Sequence, residues 1–457
     1  METIRQYEAY EQKKRLLQHQ LSANRSDEQT PISLHKKTSN LFRAPFQKTH
    51  STQRIDVRNF NHVLSIDPDL LQADVEGMTT YEDLVNTTLP YNLLPAVVPQ
   101  LKTITIGGAT AGLGIESSSF RYGLVHESII EMEILLSDGR TVICRADNEY
   151  QDLFYAFPNT YGTLGYALRL KIKLIHAKKY IKLCHHRYSS PTPYFEALET
   201  LCKQNQLPSA PIAYIDGTIF QSTELYISTG EFVDEVPYTS DYTYMNIYYR
   251  SIQHRTEDFL STADYIWRWD TDWFWCSNTF GLQHPLLRFL FGKWILNSAT
   301  YTKIMRFFQR HSFLKRLTQR QNQESVIQDI LIPIDQASAF LSFLDETSPL
   351  KPIWICPSYS PPNEKSSFHF CPLKTGQLYL DFGFWGSIPS SEPPGYYNRK
   401  IEEMTVLLGG LKSLYSSSFY TQNEFWSIYN EPLYNTLKAK YDSGKRLPLL
   451  YNKIGST

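Results

Sequence analysis

Apolar and polar residues along this chain follow two rhythms, and the change between them falls near residue 178. Before it the units are short. Residues 5–22, RQYEAYEQKKRLLQHQLS, are charged and free of Pro and Gly, which predicts a surface helix. ISLHKKTSNLFR reads as a strand entering a Ser/Asn turn, and RIDVRNFNHVLSID, apolar at alternate positions, as a strand with its flanking loop. Thr79 and Glu82 have capping-box spacing and predict a short helix ending before Pro90. LKTITI, with alternating threonine and isoleucine, reads as a strand. IIEMEILL and TVICRA flank SDGR, a hairpin whose Asp138-Gly139 pair supplies the positive φ angles of a tight turn. DLFYAF predicts one or two helical turns. In YALRLKIKLI, Leu168, Leu170, Ile172 and Leu174 lie on one face of a strand and Arg169, Lys171 and Lys173 on the other.

After residue 178 connections lengthen, and Pro, Tyr and Trp become more frequent. Thr192-Pro193 predicts the start of a helix over PYFEALETLCKQ. LSFLDETSPLKPIWICP reads as a helix, a break and a buried strand, and QLYLDFGFWG as another strand. NRKIEEMTVLLGG is a helix with Ile401, Met404, Leu408 and Leu411 on one stripe. Thr421 and Glu424 form a second capping box. Short helices and strands mixed in this way give an α+β fold class.

Length and charge narrow the field. A chain of 457 residues suits two domains with a cleft between them. A net charge of −1, with no long block of like charge, argues against a nucleic-acid partner. Six scattered cysteines without a CxxC pair, and an N-terminus lacking the apolar core of a secretory signal, lead us to expect a reducing, cytoplasmic location and no metal centre. The strongest apolar run, residues 286–296, is interrupted by Arg288 and Lys293 and is too short to cross a bilayer, which needs about 20 residues. Aromatic residues reach 14%, which fits either a greasy ligand or well-filled cores.

The stretch with chemical content is TIGGATAGLGIES, residues 105–117. It is not GxGxxG, and no GKS or GKT follows, so neither the dinucleotide fingerprint nor the P-loop is present. Gly107, Gly108, Gly112 and Gly114 bare the backbone so that N–H groups can approach an anion or a flat ring, or they form a structural turn.

The order TIGG-x5-GIESSSFRYGL, hairpin, then DLFYAFPNTYGTLGYALRLKI resembles the flavin-binding half of the vanillyl-alcohol-oxidase type of FAD enzymes. Within them it is most similar to the Δ24-sterol reductases. SVIQDILIPI, KPIWICP, LYLDFGFWG and SSSFYTQNEFWSIYNEPLYNTLKAKY extend the resemblance over nearly the whole chain. It implies a two-subdomain FAD-binding domain of the PCMH type over residues 1–178. An α/β cap domain would follow over 179–410, with a C-terminal segment, 411–457, returning to the flavin.

On this resemblance Thr105, Ile106, Gly107, Gly108, Ala109, Thr110, Ala111, Gly112, Leu113, Gly114, Ile115, Glu116, Ser117, Ser118, Arg121 and Gly123 would line the FAD. Gly162 and Gly165 would lie near it, and Thr38, Ser39 and Asn40 would form a second phosphate-facing loop. Many relatives bond flavin through a histidine in that loop; here the nearest, His35, precedes the turn without glycine neighbours, so the FAD is expected to be non-covalent.

The resemblance further implies reduction of a C=C bond in a sterol or isoprenoid-like lipid, with NADPH as a transient hydride donor. The flavin delivers hydride, so an acid must protonate the other carbon. Glu116, Tyr122 and Tyr420 are the candidates. Glu116 also suits a role in shaping the loop, each Tyr a packing role, and Arg121 either an anion contact or an exposed strand end. An oxidase or dehydrogenase of an alcohol or sugar, using oxygen or a quinone, remains open beside it, as does a flavin-bearing interaction protein. The aromatic stretch 273–296 would line a lipophilic entrance, touch a membrane surface peripherally, or fill the cap's core.

Overall fold

A computed structural model describes residues 2–23, 30–37, 52–310, 323–360 and 368–455. In the first domain the helix Glu2–Ala23 and the parallel pair β1 (Ile32–His35) and β2 (Gln53–Asp56) lie beside an antiparallel sheet. That sheet contains β3 (Val63–Asp67), β4 (Gln72–Glu76), β5 (Leu93–Pro95), β6 (Ile129–Leu135), β7 (Thr141–Cys144) and β8 (Tyr166–His176). Its path is β3-β4-β8-β6-β7, and β5 pairs with the far end of β8. Val75, Leu84, Leu170 and Ile172 fill the core on one side.

The other face of β8, which carries Arg169, is covered around that residue. The helix Glu2–Ala23 crosses nearby, with Tyr10 donating to Glu133 at 2.9 Å and Lys14 pairing with the same carboxylate at 2.9 Å. Arg169 sits among Asp74 (2.6 Å), Glu131 (2.6 Å) and Glu133 (3.2 Å), its side chain only 11% exposed.

β8 ends at His176, and β9 (Tyr180–Tyr188) opens a second sheet. This sheet also holds β10 (Ile212–Gln221), β11 (Glu224–Val233), β12 (Glu257–Ser261), β13 (Gln323–Pro333), β14 (Ile353–Tyr359), β15 (Leu378–Pro389) and β16 (Leu411–Lys412). The order is β12-β9-β11-β10-β14-β15-β13-β16, antiparallel throughout. Ile215, Ile330, Ile355 and Phe382 point to one face and make a second core with residues of the helices Pro191–Gln204, Ala337–Thr347 and Tyr396–Leu407. The alternate residues, among them Tyr214, Trp354, Cys356 and Tyr379, belong to the core shared with the first domain.

Four local expectations change. LKTITI is not a strand: Thr105 makes a lone bridge with Thr80, and a helix begins at Ile106. RIDVRNFNHVLSID is split into β2 and β3. The helix Tyr81–Thr88 is capped by Thr80 rather than Thr79, because Thr79 lends its hydroxyl to the His62 carbonyl at 3.2 Å. The helix Pro191–Gln204 starts two residues early, with Ser190 at its N-cap and Pro191 in its first turn. The hairpin around Asp138-Gly139 forms, but only Gly139, at φ 91°, takes the positive φ expected of the pair; the Thr421 capping box with Glu424 forms as read.

The aromatic stretch divides in two. Trp273, Phe274 and Trp275 are buried, Trp269 stacks on Phe274 at 4.9 Å, and Phe274 meets Trp385 at 4.4 Å, so this part is core rather than a membrane contact. The remainder forms the helices Pro285–Ile295 and Ser298–Arg310.

Candidate functional site

The glycine run opens with a capped helix. Thr105 caps the helix Ile106–Ala111 by accepting the Gly108 N–H on Oγ1 at 3.3 Å. The Ile106 and Gly107 N–H groups donate to Thr79 O (3.0 Å) and Gly77 O (2.9 Å), and Ala109 N–H to Thr105 O (2.9 Å). The donors at the start of the run are thus spent within the protein. Thr110 turns its hydroxyl back to Ile106 O at 2.9 Å, and Ala109 and Ala111 are buried in the core.

A side chain at Gly107 would place Cβ 2.7 Å from the Gly77 carbonyl oxygen, and one at Gly114 would lie 2.7 Å from a Val125 methyl. Gly108 alone in this run faces solvent, where a Cβ would meet only Thr105 Oγ1. Among the described residues the N–H groups of Gly112, Leu113, Ile115 and Ser117 make no hydrogen bond within the protein. Leu113 holds φ at 27°, an unfavourable value for a branched side chain. The available donors therefore lie from Gly112 onward, whereas Gly107 and Gly108, also expected to offer theirs, spend them within the protein.

Next to these donors is a buried ionic cluster. Arg268, from the segment after the helix Thr262–Ile266, directs Nη2 to Asp216 Oδ2 on β10 at 2.7 Å and to Glu116 Oε1 at 3.1 Å. The Ser117 hydroxyl donates to the same Glu116 oxygen at 2.6 Å and lies 3.0 Å from the Tyr265 hydroxyl. Trp354 on β14 donates its indole N–H to Asp216 at 3.3 Å, and the Arg268 guanidinium lies 4.0 Å from the Tyr265 ring centroid. Burial pushes the Glu116 carboxyl above its ordinary range, against the pull of Arg268. Glu116 Oε2 makes no hydrogen bond within the protein, although the equally unpaired Gln100 amide is near enough to the carboxyl to oppose the effect of burial.

The other candidates take distinct places. Ser118 donates to Ala96 O at 2.8 Å. Arg121 is buried rather than at an exposed strand end, and it bonds the carbonyls of Asn205 (2.8 Å), Ala210 (3.3 Å) and Ile212 (2.5 Å). Its guanidinium ties the segment after the glycine run to the segment leading into β10. Tyr122 is half-buried beside it, and Gly123 (φ 73°) leaves room for the Glu127 carboxylate.

The loop after Phe157 reaches the same helix. Tyr161 donates its N–H to Ala111 O at 3.0 Å, and its ring lies 3.0 Å from where a Gly112 Cβ would stand. Asn159, Tyr161 and Gly162 all hold positive φ. Gly165 is required by packing, since its Cβ would lie 2.6 Å from an Ile134 methyl. From the C-terminal residues, Lys438 donates to Thr163 O at 2.7 Å and Lys453 to Tyr161 O at 2.5 Å. The buried Tyr420 hydroxyl donates to Glu402 O at 3.4 Å. Thr38, Ser39 and Asn40 lie outside the described residues. His35 faces Asp56 at 3.8 Å.

Residues 26–145 match the model of the family described as "FAD binding domain". The chain is 28% identical over 427 residues to the Delta(24)-sterol reductase of Homo sapiens, covering 90% of this chain and 78% of the relative. It is 25% identical over 442 residues to the enzyme of the same name from Pisum sativum, covering 87% and 76%. A shorter similarity, 27% over 147 residues, 32% of this chain and 28% of the relative, links it to cytokinin dehydrogenase 7 of Oryza sativa subsp. japonica. The chain thus carries a match to an FAD-binding domain and is similar, over about nine-tenths of its length, to Delta(24)-sterol reductases. For such a protein the unbonded N–H groups from Gly112 to Ser117 fit an FAD-contacting segment: they are donors on buried or half-buried backbone that the protein leaves unsatisfied. Sequence reading missed Asp216, Arg268 and Trp354. The one local signal was Arg268 itself, a lone cation among the aromatic residues of DYIWRWD.

Proposed function

We propose that this flavoprotein reduces a carbon–carbon double bond in a sterol or isoprenoid-like lipid, with NADPH as the hydride donor. The reading is supported by a similarity to Delta(24)-sterol reductases that spans both domains, whereas the similarity to a dehydrogenase covers less than a third of the chain. The FAD is held non-covalently by backbone donors between Gly112 and Ser117, with the open face of Gly108 beside them. When bound, the flavin supplies hydride chemistry; the chain supplies orientation and a proton.

Glu116 is the proton donor in this reading. One guanidinium stands between two buried carboxylates, and Asp216 takes the shorter contact together with the Trp354 N–H. Glu116 then keeps its proton, because a second carboxylate charge in this dry site would lack a counter-charge. With Oε1 fixed by Ser117 and Arg268, the proton resides on Oε2, the oxygen without a hydrogen bond. A neutral carboxylic acid held in one orientation is suited to protonating one alkene carbon as hydride reaches the other. Tyr420, bonded to Glu402 O, and Tyr122, beside Arg121, have packing roles, and Arg121 serves as a clamp between domains.

The arrangement that carries this reading is Glu116: a carboxyl oxygen without a hydrogen bond at the end of a segment of free N–H donors. Anaerobic mixing of the purified protein with NADPH tests it. Loss of the flavin absorbance, followed by recovery on adding a sterol with a side-chain double bond, is the expected result. Bleaching by an alcohol and not by NADPH would favour the dehydrogenase alternative.

A further inference from the structure

The loop 159–165 holds a backbone that its own residues disfavour. Asn159 (φ 63°) and Tyr161 (φ 52°) hold positive φ although both carry side chains, and Gly162 follows at φ 78°. Such a conformation persists only where the surroundings over-determine it. Within the loop, Thr160 and Thr163 turn their hydroxyls back to Phe157 O (2.6 Å) and Thr160 O (2.9 Å), so these donors are spent locally. The carbonyls of Tyr161 and Thr163 are held instead by two cations from the last twenty residues of the chain.

Lys438, on the helix Glu431–Tyr441, is buried. Its Nζ donates to Thr163 O at 2.7 Å and to Leu447 O at 3.0 Å, and it pairs with Asp442 at 2.7 Å. Asp442 also accepts the N–H groups of Arg446 (2.9 Å) and Leu447 (3.1 Å), so the ammonium has its counter-charge and its donors are fixed in direction. Lys453, on the helix Leu450–Ile454, donates to Tyr161 O at 2.5 Å. The Leu450 N–H donates to the Tyr434 hydroxyl at 3.0 Å, which ties these two helices together. Arg446, between them, bonds Ser137 O (2.9 Å), just past β6, and Thr30 O (3.1 Å), just before β1. Tyr161 is thus bonded on both sides: its carbonyl takes Lys453, and its N–H donates to Ala111 O at 3.0 Å. Gly112, where the free N–H donors begin, is the next residue, and the Tyr161 ring packs against it.

We propose that Lys438 and Lys453 are positioning residues for the FAD. Acting through loop 159–165, they press Tyr161 against the end of the helix Ile106–Ala111 and so hold the donors from Gly112 to Ser117 in the arrangement that the cofactor meets. Hydrogen bonds from an ammonium suit this task, because a charged donor holds a carbonyl more firmly than a neutral one does. The inference rests on the reading that these donors contact FAD.

Titration of the FAD-free full chain with FAD, followed by flavin fluorescence, tests it together with hydrogen exchange. Lys438 is buried, so the half-buried Lys453 carries the decisive variant. Lys453→Met raises the FAD dissociation constant about tenfold or more, the scale of one charge-assisted hydrogen bond. Exchange at residues 157–165 becomes faster while exchange in β13 and β15 stays as it was, a pattern that a general loss of stability does not give. Lys453→Arg keeps a cation and restores the affinity to within about threefold. Lys440→Met removes a lysine of the same helix as Lys438 that bonds Asp152 at 2.6 Å, and it leaves FAD binding unchanged. Unchanged affinity or unchanged exchange at 157–165 in Lys453→Met would overturn the inference, as would an equal loss of affinity in Lys440→Met or no recovery in Lys453→Arg. In the unmodified chain FAD slows exchange across residues 105–117. If FAD binds without slowing that segment, the reading of the segment itself fails and takes the inference with it; if it slows the segment and Lys453→Met loses nothing, the inference alone fails.

Discussion

Replacing Glu116 by Gln is the most informative perturbation of the site. The amide keeps the acceptor that Ser117 and Arg268 use and places a nitrogen where the oxygen without a hydrogen bond stood. If Glu116 is already neutral, the Arg268–Asp216 pair at 2.7 Å stays balanced, so the stability change is small, about 1 kcal/mol or less. Loss of a positioned general acid, by contrast, costs roughly 10²–10⁴ in rate, or about 3 to 5 kcal/mol of barrier. Stopped-flow absorbance separates the half-reactions. Glu116→Gln is bleached by NADPH at the unmodified rate, but its flavin is reoxidised by the alkene about 10²–10⁴ times more slowly. The pH dependence has a fixed sign: alkene reduction by the unmodified protein falls as pH rises through the elevated Glu116 pKa, because the proton to be given is lost, and Glu116→Gln lacks this limb. Alkene reoxidation within about threefold of the unmodified rate would refute the assignment. Destabilisation by about 3–5 kcal/mol would also refute it, because that is the cost of breaking an ionised Glu116–Arg268 pair.

Other outcomes follow from the same packing. Arg169→Met leaves Asp74, Glu131 and Glu133 without their shared cation and lowers stability in denaturant titration by about 3–5 kcal/mol. Burial holds His126 down to about 3 and His185 down to about 4, so between pH 6.5 and those values the unfolded chain takes up protons that the folded one refuses. Stability therefore falls on acidification by up to about 1.4 kcal/mol per pH unit for each histidine, and replacing His126 by Phe flattens the slope of urea midpoint against pH. Gly107→Ala forces a Cβ to within 2.7 Å of a backbone oxygen and disrupts the fold. Gly108→Ala has only Thr105 Oγ1 to displace, and it folds with an unchanged circular dichroism spectrum.

What the sequence made legible was governed by near neighbours. The hairpin at Gly139, the Thr421–Glu424 box and the alternation from Leu170 to Leu174 are decided by residues a few positions apart, and they formed; Leu168 packs instead with Tyr10 and Leu135, where the ladder shifts register. LKTITI failed because its alternation fits the strand template while tertiary bonds to Thr79 and Gly77 fix the backbone as the entry to a helix. The surroundings of Arg169 were not legible because nothing local announces that the helix Glu2–Ala23 would fold over its strand. The segment holding Glu116 was found from glycine content, yet three of its four glycines answer to close internal neighbours at Gly77, Tyr161 and Val125. The partners of Glu116 were invisible because Asp216 and Arg268 are distant in sequence, and no local pattern links them to residue 116.

The most direct measurement is an anaerobic single turnover on the purified protein, with the flavin then released by acid precipitation. The account predicts a yellow protein that NADPH bleaches, recovery of colour with one equivalent of alkene-bearing sterol, a saturated product, and all the FAD in the acid supernatant. A protein that stays colourless with excess FAD, or a reduced flavin that molecular oxygen reoxidises and the sterol does not, would contradict it.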